Sequence, residues 1–171
     1  MISNDINQLE LRVDDDNWKQ IDDLAHIVTG AFKAGLESSG VSIADVGATI
    51  VLADDLTVKQ LNQQWRNQEN ATNILSFPAP KDEKTETGQR YLGDMILAWG
   101  VVSGEADEQG KALATHLCHL VIHGALHLLG YDHMKDDEAR QMEDLERTAM
   151  TALKLPDPYL PNVAIKEMIK L

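Results

Sequence analysis

The chain has a single cysteine, Cys118, so no internal disulfide can form and the sequence points to a reducing compartment. Nor is there an apolar run near the roughly eighteen residues that span a bilayer. The first residues, MISNDINQLELRV, lack the basic n-region and apolar h-region of a secretory signal. A cytoplasmic protein with no membrane segment is expected. Positive charge is also scarce, because 15 Lys and Arg stand against 28 Asp and Glu, a formal charge of -13. That balance excludes a general nucleic-acid binder, DNA included, since phosphate contacts need Lys and Arg. It leaves room for a local basic cleft: acids concentrate in 14–16 and 136–146, while Lys59, Arg66 and Arg90 belong to the middle. A negative body with a small positive site would bind a polyanion weakly alone and depend on a partner for placement. Repeats and low-complexity segments are absent. The remainder, 43% hydrophobic and 25% charged in 171 residues, fits one globular domain over 1–171 without a linker.

What the chain does have is a dense histidine motif, HGALHLLGYDH from His123 to His133. At about 100° per residue, His123 and His127 share a helix face one turn apart and can reach one ion. His133 would face about 80° away and lie roughly 15 Å further along an unbroken helix. The chain therefore has to turn, and Gly130 is placed to stop the helix in a left-handed conformation and return His133 as third ligand. Three imidazoles with one position left open suit a catalytic Zn²⁺ better than a structural one. The same spacing occurs in metzincin proteases, H-E-x-x-H-x-x-G-x-x-H. Position 124 departs from that pattern, being Gly where the proteases carry the glutamate that acts as general base.

Periodicity places the remaining elements. Ile6 to Val13 alternates as a half-buried strand, and Asp16 is placed to cap a helix with Trp18, Ile21, Leu24, Val28, Phe32 and Leu36 inward, ended by Gly40. Val46 to Leu52 reads as a strand covered on both faces. Asp54 and Asp55 start a helix with Val58, Leu61, Asn62 and Trp65 on one face and Arg66 at its end. A polar loop leads to a short strand, Asn73 to Phe77, ended by Pro78. The charged segment Pro80 to Gln89 is expected to be an exposed, mobile loop before a fourth strand, Tyr91 to Ala98. A short helix from Val101 to Glu108 precedes Gly110 and the long histidine helix, in which His116, His119, His123 and His127 fall within about 80° of arc and Cys118 faces the core. His116 and His119 then line the cleft behind the ligands or sit on the surface. Asp136 or Asp137 caps a last helix with Ala139, Met142, Leu145, Ala149 and Leu153 inward, and Asp157-Pro158-Tyr159 ends the compact part. The tail from Pro161 to Leu171 is expected to be ordered only by contact with something else. This order, β-α-β-α-β-β-α-α-α, predicts an α+β fold: a small mixed sheet of about four strands packed with helices, with the zinc site on a central helix and its following turn.

HGALHLLGYDH resembles the signature of the YbeY family, zinc endoribonucleases of bacterial ribosomal RNA maturation. Trp65-Arg66, TNILSFP from Thr72 to Pro78, and LGDMIL from Leu92 to Leu97 follow that family's order, so the resemblance covers roughly Val46 to Tyr159. It implies a single-strand-specific, zinc-dependent endoribonuclease acting in 16S rRNA 3′-end maturation and ribosome quality control. The implied partners are rRNA and the small ribosomal subunit, one of its proteins and an assembly GTPase. It also implies one Zn²⁺ on His123, His127 and His133, with Arg66 in the active site. Spacing alone favours reading Arg66 as a surface arginine at a helix C-terminus, and it is the resemblance that reverses this. The family's usual TDVLSFP has Asp where this chain has Asn73, which removes a possible charge there.

Zinc can supply hydroxide near neutral pH without a strong protein base, so Gly124 is compatible with hydrolysis. For a phosphodiester the larger demand is the charge on the non-bridging oxygens, which an arginine fork matches. Ser76 could line the cleft or satisfy its strand end, and Asp132 could orient a histidine or cap the turn. Two rival readings are a zinc hydrolase of peptides or small molecules, against which Gly124 stands, and a ribosome assembly factor whose zinc is structural.

Overall fold

Alternate residues of two central strands enter two separate cores, and this division fixes the architecture. The computed structural model describes residues 8–160. Strand β1 is Leu9–Val13, β2 Val46–Ala53, β3 Ile74–Pro78 and β4 Arg90–Ala98. They form one mixed sheet in the order β1-β2-β4-β3, with β1, β2 and β4 parallel and β3 antiparallel at the edge. Ala48, Ile50 and Leu52 of β2, with Met95 and Leu97 of β4, enter the larger core. Ala53, Ile96 and Ala98 enter the smaller one on the other face. Each set is spaced by two, as a pleated strand requires.

Among the described residues five α-helices complete the α+β fold: α1 Leu24–Ser38, α2 Asp55–Arg66, α3 Trp99–Gln109, α4 Leu113–Leu128 and α5 Asp136–Ala152. Helix α4 lies against β3 and β4 and is covered in turn by α1, α3 and α5. It is correspondingly apolar, with Leu117, Leu120, Val121, Ile122, Ala125, Leu126 and Leu128 all buried. Cys118 is buried there as expected, and burial pushes its thiol up to about 11. Helix α2 occupies the other side, and Asp54 caps it by accepting the Thr57 N–H at 2.8 Å.

Four expectations need correction. The helix anticipated from Asp16 is two pieces, a 3₁₀ turn Asp16–Gln20 capped by Asp15 and then α1, separated where Asp23 takes a left-handed φ of 54°. The break lets Trp18 turn fully inward and donate its indole N–H to the Ala53 carbonyl at 2.9 Å. Trp65 is 65% exposed, lining an open hollow with Leu61 of α2 and Phe77 of β3 instead of being buried with the rest of the stripe. The N-cap of α5 is Lys135, with no side-chain capping bond, and Asp136, Asp137 and Glu138 instead occupy its first turn, where the helix dipole favours them. The segment Pro80 to Gln89 is largely exposed but folds back on itself through Tyr91 N–H to Glu83 O at 2.9 Å and a bridge between Lys84 and Arg90. Ile6 and the tail from Pro161 lie outside the described residues.

Candidate metal centre

The end of α4 brings the three histidines together by a helix stop. Gly130 adopts φ 101°, donates to the His127 carbonyl at 3.0 Å, and the next N–H, of Tyr131, returns to the Leu126 carbonyl at 3.0 Å. This left-handed closure reverses the chain at little steric cost because glycine has no Cβ. Two residues after Gly130, Asp132 accepts the backbone N–H of His133 at 2.7 Å, so its carboxylate caps the turn that carries the third imidazole. One ligand nitrogen from each of His123, His127 and His133 then lies within 4.8 Å of the others.

The tautomers of two rings follow from their partners. The Nδ1 of His123 lies 2.9 Å from Glu146 Oε1, and the Nδ1 of His127 lies 3.0 Å from the Tyr131 carbonyl oxygen. An ionised carboxylate and a carbonyl only accept, so both Nδ1 atoms carry a proton, and each ring in its neutral form offers its lone pair at Nε2. Those Nε2 atoms face each other at 3.0 Å. Bonds of about 2.0–2.1 Å at a tetrahedral angle would set two imidazole nitrogens roughly 3.3 Å apart, so the donor set fits a small divalent cation. The pKa of His127 is lowered by burial and by repulsion from His123 and His133, which keeps its ring neutral and able to ligate.

Behind the triad stands a group that the motif did not reveal. Glu146 of α5 is 1% exposed and accepts from His123 at Oε1 and from His119 Nε2 and the Tyr159 hydroxyl at Oε2. Burial alone would raise its pKa, but the hydrogen bonds from His119, His123 and Tyr159 outweigh it and lower the value to about 2. Burial and then the neighbouring Glu146 raise the pKa of the Tyr159 phenol. The signal was present in the sequence: Glu146 lies on the same stripe of α5 as the buried Met142 and Ala149, a carboxylate where the periodicity demands an apolar side chain.

The triad opens into a cleft of about 730 Å³, also lined by Arg66, Asn73, Ser76, His119 and Tyr159. Arg66 ends α2 and its Nη2 reaches the Ser76 carbonyl of β3 at 3.5 Å, so the helix end and the edge strand form one wall and the histidines another. Asn73 accepts the Ile74 N–H at 2.7 Å and donates to Glu105 of α3 at 3.1 Å. His116 donates to the same Glu105 at 3.3 Å and is only 4% exposed, so it is not a surface group, and it lines a neighbouring hollow with His119 instead of the metal cleft. His119 does line the cleft, but its Nε2 is committed to Glu146. Gly124 faces the sheet, where an added Cβ would lie 2.2 Å from Met95 Sδ and 2.7 Å from Ile74 Cδ1. The position that carries the protease glutamate has no space for a side chain in this fold.

A family model described as Endoribonuclease YbeY matches residues 11–154. Among curated proteins, the Endoribonuclease YbeY of Paramagnetospirillum magneticum is 49% identical over 131 residues, covering 74% of this chain and 80% of its own. That of Azorhizobium caulinodans is 42% identical over 154 residues, covering 89% and 96%. The solution structure of a Thermotoga maritima protein shares the fold with a TM-score of 0.54 at 21% identity, covering 89% of this chain and 99% of that one. With the histidine motif lying inside the matched region, the chain belongs to the Endoribonuclease YbeY family.

Proposed function

We propose that this protein is a single-domain, zinc-dependent endoribonuclease that cuts single-stranded RNA, with His123, His127 and His133 holding the ion and Arg66 binding the scissile phosphate. The observation that carries this reading is the convergence of three imidazoles, two in fixed tautomers, on a cleft whose opposite wall bears an arginine. When bound, the ion supplies Lewis acidity toward a phosphoryl oxygen and a source of hydroxide near neutral pH. The protein's own part is to hold and orient. Glu146 and the Tyr131 carbonyl keep protons on the Nδ1 atoms of His123 and His127. Arg66 offers a planar fork to the non-bridging oxygens as their charge grows. An open cleft beside an edge strand has room for an extended strand of RNA.

The family's name supports ribonuclease activity. We extend it to 16S rRNA 3′-end maturation and ribosome quality control in the cytoplasm, with the small ribosomal subunit, one of its proteins and an assembly GTPase as partners. Among the described residues no helix is long and apolar enough to cross a membrane. The net charge of -13 supports dependence on a partner for placement on a polyanion. The test uses zinc-loaded protein, matched single- and double-stranded RNA oligonucleotides and a peptide panel. Cleavage of the single strand alone is expected, and 16S 3′ ends in cells depleted of the protein should remain extended. Turnover of peptides without RNA cleavage would overturn the proposal.

A further inference from the structure

The group most out of place in this fold is the carboxylate of Glu146. A buried ion is costly unless fully bonded, and this one is fully bonded by donors outside its own helix. Oε1 takes the Nδ1–H of His123 at 2.9 Å, and Oε2 takes the Nε2–H of His119 and the hydroxyl of Tyr159, each at 2.5 Å. Tyr159 is itself held: its N–H donates to Asp157 Oδ1 at 2.8 Å, Asp157 Oδ2 accepts from Arg147 Nε at 3.0 Å, and the Arg147 guanidinium lies 5.1 Å from the centre of the Tyr159 ring. Three elements thus converge on one carboxylate, and that carboxylate touches a single member of the histidine triad.

We propose that Glu146 is the positioning residue of the metal centre, fixing His123 in its ligating tautomer and rotamer while its buried negative charge offsets that of the dication, and that His119 and Tyr159 hold the carboxylate in place. This rests on the reading of His123, His127 and His133 as metal ligands. The two α4 ligands are supported unequally. His127 donates to a neutral carbonyl, His123 to an ion. A carboxylate behind an imidazole makes the far nitrogen more basic and is itself attracted to the cation, whereas a carbonyl chiefly orients. Three neutral imidazoles leave a divalent ion's charge uncompensated in a partly buried site, and Glu146 is the carboxylate in direct contact with any of the three rings. A purely architectural Glu146, joining α4, α5 and the segment after it, would affect folding but not the affinity of a folded protein for metal.

The test is zinc affinity, measured on the full-length protein by competition with a chromophoric chelator, with the visible spectrum of the Co²⁺-substituted protein as a second readout. Glu146→Gln keeps the shape and one acceptor while removing the charge. It should retain the far-ultraviolet dichroism of the wild type, bind Zn²⁺ about 10- to 100-fold more weakly, and shift the Co²⁺ bands. Tyr159→Phe, which removes one donor at the rim of the cleft, should weaken Zn²⁺ by a smaller factor, and it decides the matter should Glu146→Gln fail to fold. Wild-type affinity and an unchanged Co²⁺ spectrum in a folded Glu146→Gln protein, or in Tyr159→Phe when only that variant folds, would overturn the proposal. If the wild type takes up no Zn²⁺, or His127→Ala binds it as well as the wild type, the ligand assignment fails and this proposal with it. Tight binding by the wild type with no change in Glu146→Gln overturns this proposal alone.

Discussion

Adding one methyl group at Gly124 should destabilise the protein, although the same change in an exposed helix interior is stabilising. Alanine is favoured over glycine within a helix by about 1 kcal/mol. At Gly124 the new Cβ would stand 2.2 Å from Met95 Sδ, 2.7 Å from Ile74 Cδ1 and 3.3 Å from Ser76 Oγ. Met95 is fully buried, so its side chain has to be repacked within the core to make room. Overpacking of this kind costs about 1–3 kcal/mol, and two contacts this short argue for the upper end. The net expectation for Gly124→Ala is a loss of about 2 kcal/mol, or roughly 4–8 °C in Tm for a chain of this size. Gly104 of α3 provides the control, because a Cβ there would meet nothing within 4 Å and the residue is exposed. Gly104→Ala should therefore raise Tm by about 2–4 °C. Melts should be recorded with a chelator present, since bound metal would shift each Tm by mass action. A Gly124→Ala protein melting at or above the wild type would refute the packing argument. The same geometry means that Gly124→Glu does not restore a protease base: the carboxylate would have to displace the β3 and β4 side chains against which α4 rests.

Replacing His123, His127 or His133 with Ala should in each case abolish near-stoichiometric zinc on elemental analysis, because two imidazoles make a poor site; full zinc content in all three variants would dissolve the triad. Arg66→Ala should leave zinc content and Tm unchanged while slowing single-turnover RNA cleavage about 10²-fold, and Arg66→Lys should recover only part of the rate, since an ammonium lacks the planar fork. Equal cleavage by all three Arg66 proteins would reduce this arginine to a helix-terminal charge.

The element order, the mixed four-stranded sheet and the convergence of the histidines were legible because each depends on local rules: period 2 in β2 and β4, period 3.6 in α4, and a left-handed glycine stop at Gly130. What local rules could not show is what a side chain meets across the fold. Trp65 fits the apolar stripe of α2, but how much of it the sheet covers is a tertiary fact, and 65% of it stays exposed. The break at Asp23 is hidden because Trp18 and Ile21 also fit a continuous helix, and only the reach of the Trp18 indole to Ala53 selects the 3₁₀ turn. Gly124 read as a missing base because its spacing matched a protease. Its reason is the approach of α4 to the sheet, which a motif cannot express. Glu146 lies 23 residues after His123 in sequence and beside it in space.

An acidic protein acting on a polyanion must confine its positive charge, and this confinement makes a prediction about salt. Among the described residues Arg66 is the one Lys or Arg lining the cleft, which also contains the carboxylate of Asp132. With Arg66 and the ion as the cationic contacts, one or two phosphates are neutralised when a short single strand binds. The slope of log affinity against log salt is about -0.7 per phosphate for single strands, so a slope between about -0.7 and -1.4 is expected. Raising salt fourfold should then weaken binding of an oligonucleotide by only about 3- to 7-fold. Binding to a cleavage-deficient, zinc-loaded protein across a salt series measures it, with Arg66→Ala expected to reduce the slope by about 0.7. A slope steeper than about -3 would require four or more phosphate contacts. The RNA would then follow a basic track elsewhere on the surface, and weak intrinsic binding would no longer be a reason for the protein to need a partner.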